Sequence, residues 1–293
     1  MFCIILFIPM RKFLLLFLLF LGSCFAPSSK SSKPVILVTI PPYAYFVQQI
    51  AGDLVSIEVF VPPGANPHIY EPSPKQVEKF AQAKLWFRYG DTIEQKILPF
   101  LQKSHVKDID LSKGIHLLSA TEHTCADHVH EGKDLHVWID PHLALKQVKK
   151  ISEELSRLWP EHEKLFEKNT ADLVQRLEAL DQEIKTEMKP LKGSTLLLSH
   201  PALGYYCERY GLHQLSVECE GKDPLPKQVA HVVKEAQEKG VKVIFIEPQY
   251  NNKGASLIAQ KLQLPIYQID PYALNYFETM QDISNSIVKY YGH

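Results

Sequence analysis

Residues 161–189, "EHEKLFEKNTADLVQRLEALDQEIKTEMK", contain no glycine and no proline. Leu165, Leu173, Leu177, Leu180 and Ile184 recur at helical spacing with charged residues between them, the pattern of an amphipathic helix. One unbroken helix of this length runs roughly 40 Å at 1.5 Å per residue. The apolar spacing is not the strict 3.5-residue repeat of a coiled coil. The segment therefore reads as a rigid strut, and what lies on either side of it decides the fold.

Working outward, both flanks alternate short apolar runs with longer stretches of helical period, which predicts parallel α/β construction. Before the strut the strand candidates are residues 34–40, 55–61, 84–90 and 106–111; after it they are 194–199, 213–219, 241–246 and 264–269. Helical stretches between them stop at Gly52, Gly211 and Gly240, as glycine-capped helices do. The expected fold is α/β: two parallel-sheet lobes, residues 34–160 and 190–293, joined by one long rigid helix over 161–189, with a site in the cleft between them.

The chain of 293 residues carries 32 basic and 33 acidic side chains. With no strongly basic stretch, nucleic-acid binding has no electrostatic support. Residues 10–24, "MRKFLLLFLLFLGSC", place two positive charges before an apolar run and small residues before Cys24. That run is short for a membrane span and suits a signal-peptide core. "LGSC" resembles a bacterial lipobox, so residues 1–24 are expected to be a leader, with Cys24 lipidated and residues 25–33 a flexible tether. Residues 1–9 set apolar residues ahead of the charges, which marks Met10 as the expected start. The protein is thus expected outside the cytoplasm, in a periplasm or on the outer face of a membrane. Cys125, Cys207 and Cys219 lie beyond the leader. Both a Cys207–Cys219 bridge and unpaired buried thiols fit an oxidising compartment, and no CxxC pair offers a thiolate metal site.

The chemistry-bearing residues cluster at the predicted strand ends, where open parallel sheets place their ligand crevices. "STLLLSHP" delivers His200, "VKVIFIEP" Glu247 and "LPIYQIDP" Asp270. Each is followed by a proline, which steers its backbone away from the α region. In the first half, "VFVPPGANPHIYEPSP" leads from a strand to His68, held among prolines, and "DLHVWIDPH" supplies His136. Asp140 and Asp270 also suit helix N-caps ahead of a proline at the first helical position. With His68 and His136 before the strut, and His200 and Asp270 after it, two ligands from each lobe can meet. Three imidazoles and one carboxylate fill a tetrahedral zinc shell, and nitrogen donors suit zinc better than manganese. Glu247 is expected to accept a hydrogen bond from a ligand imidazole and fix its tautomer; a salt bridge across the cleft is its alternative. His123, His128 and His130 fall in a polar stretch with no apolar period, read either as a solvated loop or as a weak accessory collector of metal.

These motifs together resemble the periplasmic-type metal-binding lipoproteins that serve zinc and manganese ABC transporters. The resemblance runs from about Pro34 onward and rests on "PGANPHIYEPSPKQV", "LHVWIDPHLA", "SHPALGYYCERYGL", "IEPQYNN" and "QIDPYA". It implies two α/β lobes, a long connecting helix and a metal held by residues matching His68, His136, His200 and Asp270. A histidine at the third ligand position, here His200, is typical of the zinc-binding branch. The implied cargo is Zn(II), with Mn(II) or iron as alternatives, and the implied partners are a membrane permease and its ATPase. A monomer is expected.

No G-x-S-x-G, Walker A or HExxH segment occurs, so none of the common catalytic motifs supports an enzyme. The enzymatic alternative is a zinc hydrolase in which three histidines hold the metal, Asp270 serves only as a cap and Glu247 acts as base. A metal-binding protein without catalysis is the leading expectation.

Overall fold

Each predicted apolar run contains a strand, but a shorter one than the run itself. The computed structural model describes residues 33–119, 132–218 and 225–292. Its first four strands are Val35–Val38 (β1), Ser56–Val59 (β2), Leu85–Arg88 (β3) and Lys107–Asp110 (β4), paired in parallel in the order β2-β1-β3-β4. Helices Pro41–Ala51 (α1), Pro74–Phe80 (α2) and Thr92–Lys103 (α3) make the crossovers, and Pro141–Leu158 (α4) and Glu163–Met188 (α5) follow. A second parallel sheet repeats the plan with Thr195–Leu198 (β5), His213–Ser216 (β6), Ile244–Ile246 (β7) and Ile266–Gln268 (β8), in the order β6-β5-β7-β8. Gly204–Tyr210 (α6), Pro226–Glu238 (α7) and Lys253–Leu262 (α8) connect these strands, and Tyr276–Tyr291 (α9) lies after β8.

In both sheets the strand order turns back beside the first strand, so each has a switch point, β1/β3 and β5/β7. Loops leaving the carboxyl ends there diverge and open a crevice. Glycine ends two of the crossover helices where a left turn is required: Gly52 after α1 (φ 55°) and Gly211 after α6 (φ 74°).

The predicted strut is one continuous helix, α5, with a short 3-10 turn at each end. It does more than space the lobes apart. Phe166, Leu173, Leu177, Leu180, Ile184 and Met188 are buried along one face. The predicted stripe began at Leu165, which is instead 42 % exposed. Phe166 takes its place because 166 to 173 spans two near-complete turns, whereas 165 falls about a quarter-turn away. That buried face joins residues of β1, α1 and α4 to residues of β5 and α9 in one continuous apolar cluster. A separate cluster under β1 and β3 contains Leu37, Phe60 and Trp86, and another under β5 and β7 contains Leu197, Leu215 and Ile244. Each sheet is therefore covered on both faces, as parallel sheets require. The lobes share a core through α5, so wide hinge opening would expose apolar surface at about 25 cal/mol per Å².

Candidate metal centre

Three histidines from three different loops meet between the lobes. His68 lies beyond β2 in a turn whose Asn66 Oδ1 accepts the His68 amide at 2.9 Å. Behind it, Ser73 and Gln76 form a reciprocal cap on α2, and Gln76 Nε2 donates to the Tyr70 hydroxyl at 2.7 Å. The prolines thus sit in a segment already tied at both ends. His136 immediately precedes a 3-10 turn, Val137–Ile139. Asp134 Oδ1 accepts from both its main-chain amide, at 2.9 Å, and its Nδ1, at 2.8 Å. His200 follows β5 by two residues, and Tyr250 stacks on it at 3.9 Å with the rings 11° apart.

Each ring is held by its own carboxylate. His68 Nδ1 lies 2.9 Å from Asp91 Oδ2, and His200 Nδ1 lies 2.6 Å from Glu218 Oε2, completing the set begun by Asp134. An ionised carboxylate can only accept, so the proton of each neutral ring belongs on Nδ1 and Nε2 keeps its lone pair. One ring nitrogen from each histidine lies within 4.8 Å of the other two. His136 Nε2 and His200 Nε2 face each other at 3.3 Å. A tetrahedral shell with Zn–N of about 2.05 Å places neighbouring nitrogens roughly 3.3 Å apart. Two facing lone pairs at that distance repel, whereas a cation between them makes both contacts attractive.

The electrostatics keep the site in its ligating form. Burial, reinforced by the neighbouring His136 and His68, holds the His200 imidazole well below its ordinary value, so this ring stays neutral as pH falls. Burial acts to raise the Asp91 carboxyl, but the hydrogen bond from His68, with the Ile93 amide, outweighs it and brings the group below the usual range. Zinc needs neutral imidazoles, and His200 meets that need without deprotonation.

Asp270 is not a member of the close group. Its Oδ1 accepts from Gln249 Nε2 at 2.6 Å and from the Tyr272 amide at 3.0 Å. The hydroxyl beside His136 Nε2, at 2.9 Å, belongs instead to Tyr272. Asp140 caps α4, its Oδ1 accepting the His142 amide at 2.7 Å.

Glu247 corrects an expectation. It stands at the end of β7, is fully buried, and neither carboxylate oxygen has a hydrogen-bond partner among the described residues. Burial, then the Glu218 and Asp270 carboxylates, hold it well above the ordinary range, which favours the neutral acid over the carboxylate form that would accept from an imidazole N–H. Glu218, beyond the end of β6, holds the Nδ1 of His200, the kind of tautomer-fixing contact that Glu247 was expected to make with a ligand imidazole. Asp91, Asp134 and Glu218 were all missed in the sequence. Asp134 had a local signal, an acid two residues before a histidine, and Asp91 and Glu218 follow strand ends. His123, His128, His130, Cys24 and Cys219 lie outside the described residues. Cys207 is buried, and burial pushes its thiol up. Among the described residues, no helix is long and apolar enough to cross a membrane.

Glu218→Gln tests the carboxylate support. The amide keeps the size but loses the charge on His200 Nδ1. Losing such a support typically costs 10–100-fold in metal affinity; about 10-fold weaker zinc binding is expected here, with the unfolding midpoint of the metal-free protein little changed. Chelator competition reads the first quantity and urea denaturation the second. Unaltered affinity would remove Glu218 from the site.

Known proteins of the same fold identify the family. The family model for the periplasmic zinc-uptake complex component A, ZnuA, matches residues 36–290. The high-affinity zinc uptake system protein ZnuA of Bacillus subtilis is 29 % identical over 246 residues, 80 % of this chain and 77 % of the relative. A crystal structure of ZnuA superposes with TM-score 0.82 at 30 % identity, covering 88 % of this chain and 99 % of the other. A zinc-bound deletion variant of ZnuA gives TM-score 0.81 at 29 % identity, covering 89 % and 98 %. With two parallel-sheet lobes, a long connecting helix and a match over nearly all the described residues, the chain belongs to the ZnuA family of periplasmic zinc-uptake components, which are solute-binding proteins and not enzymes.

Proposed function

We propose that this protein captures Zn(II) outside the cytoplasmic membrane and passes it to the permease of an ABC importer powered by a cytoplasmic ATPase. The metal is held by Nε2 of His68, His136 and His200. Asp270 supplies the fourth donor through Oδ2, because its Oδ1 is engaged by Gln249 and by the Tyr272 amide. The observation that carries the reading is the convergence of three imidazoles, each with a separate carboxylate on Nδ1. This donor set favours zinc over manganese, which prefers more oxygen. The naming of the Bacillus subtilis relative for high-affinity zinc uptake supports the same cargo. Cys24 tethers the monomer to the membrane through lipid, and His123, His128 and His130 form a weak accessory collector of metal.

The transport reading is tested in cells. A strain lacking the protein is expected to stop growing in chelator-treated medium and to recover with added zinc but not with manganese or iron. Recovery with manganese or iron instead would overturn the zinc assignment. Normal growth and normal uptake of radioactive zinc in the deletion strain would overturn the transport role.

A further inference from the structure

Tyr272 reaches the ligand cluster although the "QIDPYA" motif was read for its aspartate alone. Its hydroxyl lies 2.9 Å from His136 Nε2 and 3.2 Å from the Tyr250 hydroxyl. The ring is 4 % exposed and packs between Trp138 and His136. Its main chain is fixed too: the Tyr272 amide donates to Asp270 Oδ1, and the adjoining Pro271 carbonyl accepts the Trp138 indole N–H at 2.9 Å.

The direction of these hydrogen bonds follows from the inventory of donors. The one proton of neutral His136 is committed at Nδ1 to Asp134, so Nε2 accepts and the Tyr272 O–H donates. A phenol has one proton, so in the pair with Tyr250 the donor is Tyr250. The result is a chain from Tyr250 O–H to Tyr272 O–H to His136 Nε2. That nitrogen is the one facing His200 Nε2 at 3.3 Å, and a single lone pair cannot serve both a hydroxyl proton and a metal ion.

We infer that Tyr272 is a competitor built into the zinc site: its hydroxyl satisfies His136 Nε2 in the metal-free protein, is displaced when zinc enters, and thereby weakens binding and hastens release. The inference rests on the zinc site proposed above. It also assigns a meaning to the segment 270–272, which can offer the site a phenol or a carboxylate. Asp270 Oδ1 keeps its bond to the Tyr272 amide in both states, and Oδ2 approaches the metal once the phenol has withdrawn from His136 Nε2. Tyr250 acts through Tyr272, by donating to its oxygen, and through His200, by stacking on it.

The test compares the wild-type full chain with Tyr272→Phe and Tyr250→Phe. Zinc affinity is measured by chelator competition, release by stopped-flow transfer to excess chelator, and the coordination shell by the visible bands of the Co(II)-loaded proteins. Tyr272→Phe keeps the packing ring and removes only the competing O–H. A hydrogen bond of about 1 kcal/mol corresponds to roughly 5-fold in affinity, so zinc should bind about 5-fold tighter and leave more slowly, with unchanged Co(II) bands. Tyr250→Phe should shift affinity in the same direction by less. Equal or weaker zinc binding by Tyr272→Phe, with the wild type loading one zinc per chain, would overturn the competitor role. Altered Co(II) bands would overturn it by making Tyr272 a ligand. A wild type that loads no zinc would overturn the site itself along with the inference.

Discussion

Replacing His136 by alanine leaves a folded protein that retains about 1 % or less of the wild-type zinc affinity. His136 is fixed through both its main chain and its ring. Asp134 holds both its amide and its Nδ1, its Nε2 faces that of His200, and it is 7 % exposed. Structural zinc sites bind with roughly 10–16 kcal/mol in all, so one of four ligands accounts for about 3 kcal/mol, or roughly 100-fold. The metal-free fold should change little, because alanine accepts the tight-turn backbone of position 136 (φ −76°, ψ 42°) ahead of the 3-10 turn, and only the ring's hydrogen bonds to Asp134 and Tyr272 are lost. Chelator competition checks the affinity and urea denaturation the fold. Zinc affinity within about 10-fold of wild type would remove His136 from the shell. His68→Ala should act in the same direction; that ring is the most exposed of the three, its side chain 34 % accessible.

The second large effect concerns stability. Trp138→Ala should destabilise the protein by about 3–5 kcal/mol, the range for truncating a buried aromatic. Trp138 is fully buried, with ring centroids 5.2 Å from Tyr89, 5.3 Å from Tyr272, 5.3 Å from His136 and 6.1 Å from Tyr43. Its indole donates to the Pro271 carbonyl, and its own carbonyl accepts the Tyr276 hydroxyl at 2.7 Å. One side chain thus ties the His136 turn to the segment that carries Asp270 and Tyr272. Trp138→Phe keeps much of the volume and loses the indole hydrogen bond, so it should cost about 1–2 kcal/mol. Urea unfolding measures both. A loss below about 1 kcal/mol for the alanine variant would mean that the two halves of the site are held together by something else.

Strands β1, β5 and β7 were legible as short, near-continuous apolar runs, as parallel strands covered on both faces must be, whereas the edge strand β4, Lys107–Asp110, has Ile109 as its one apolar residue. The helix over 161–189 was legible because nothing in it breaks a helix. Its buried edge was less so: choosing Leu165 over Phe166 shifts the stripe by about 100°, and only packing against both lobes decides between them. The gathering of His68, His136 and His200 could be argued from strand ends and from their order about α5. Their carboxylate partners could not, except for Asp134, because Glu218 reaches His200 through the adjacency of β6 and β5, while β7 on the other side of β5 carries Glu247. Both strands end in an acid, and chain order alone does not say which one faces the ring. Tyr272 was hidden for a different reason. In "IDPYA" the aspartate drew the attention, while the hydroxyl two residues on reaches the His136 nitrogen.

Three imidazoles from the two lobes should form one zinc site, and zinc stoichiometry on the purified chain, with competition against Mn(II) and Fe(II) and X-ray absorption at the zinc edge, reads that site out. One tightly held zinc per chain is expected, with three imidazole donors, one oxygen and no sulfur scattering. No stoichiometric metal, displacement of zinc by manganese or iron, or a shell with fewer than three imidazoles would contradict it.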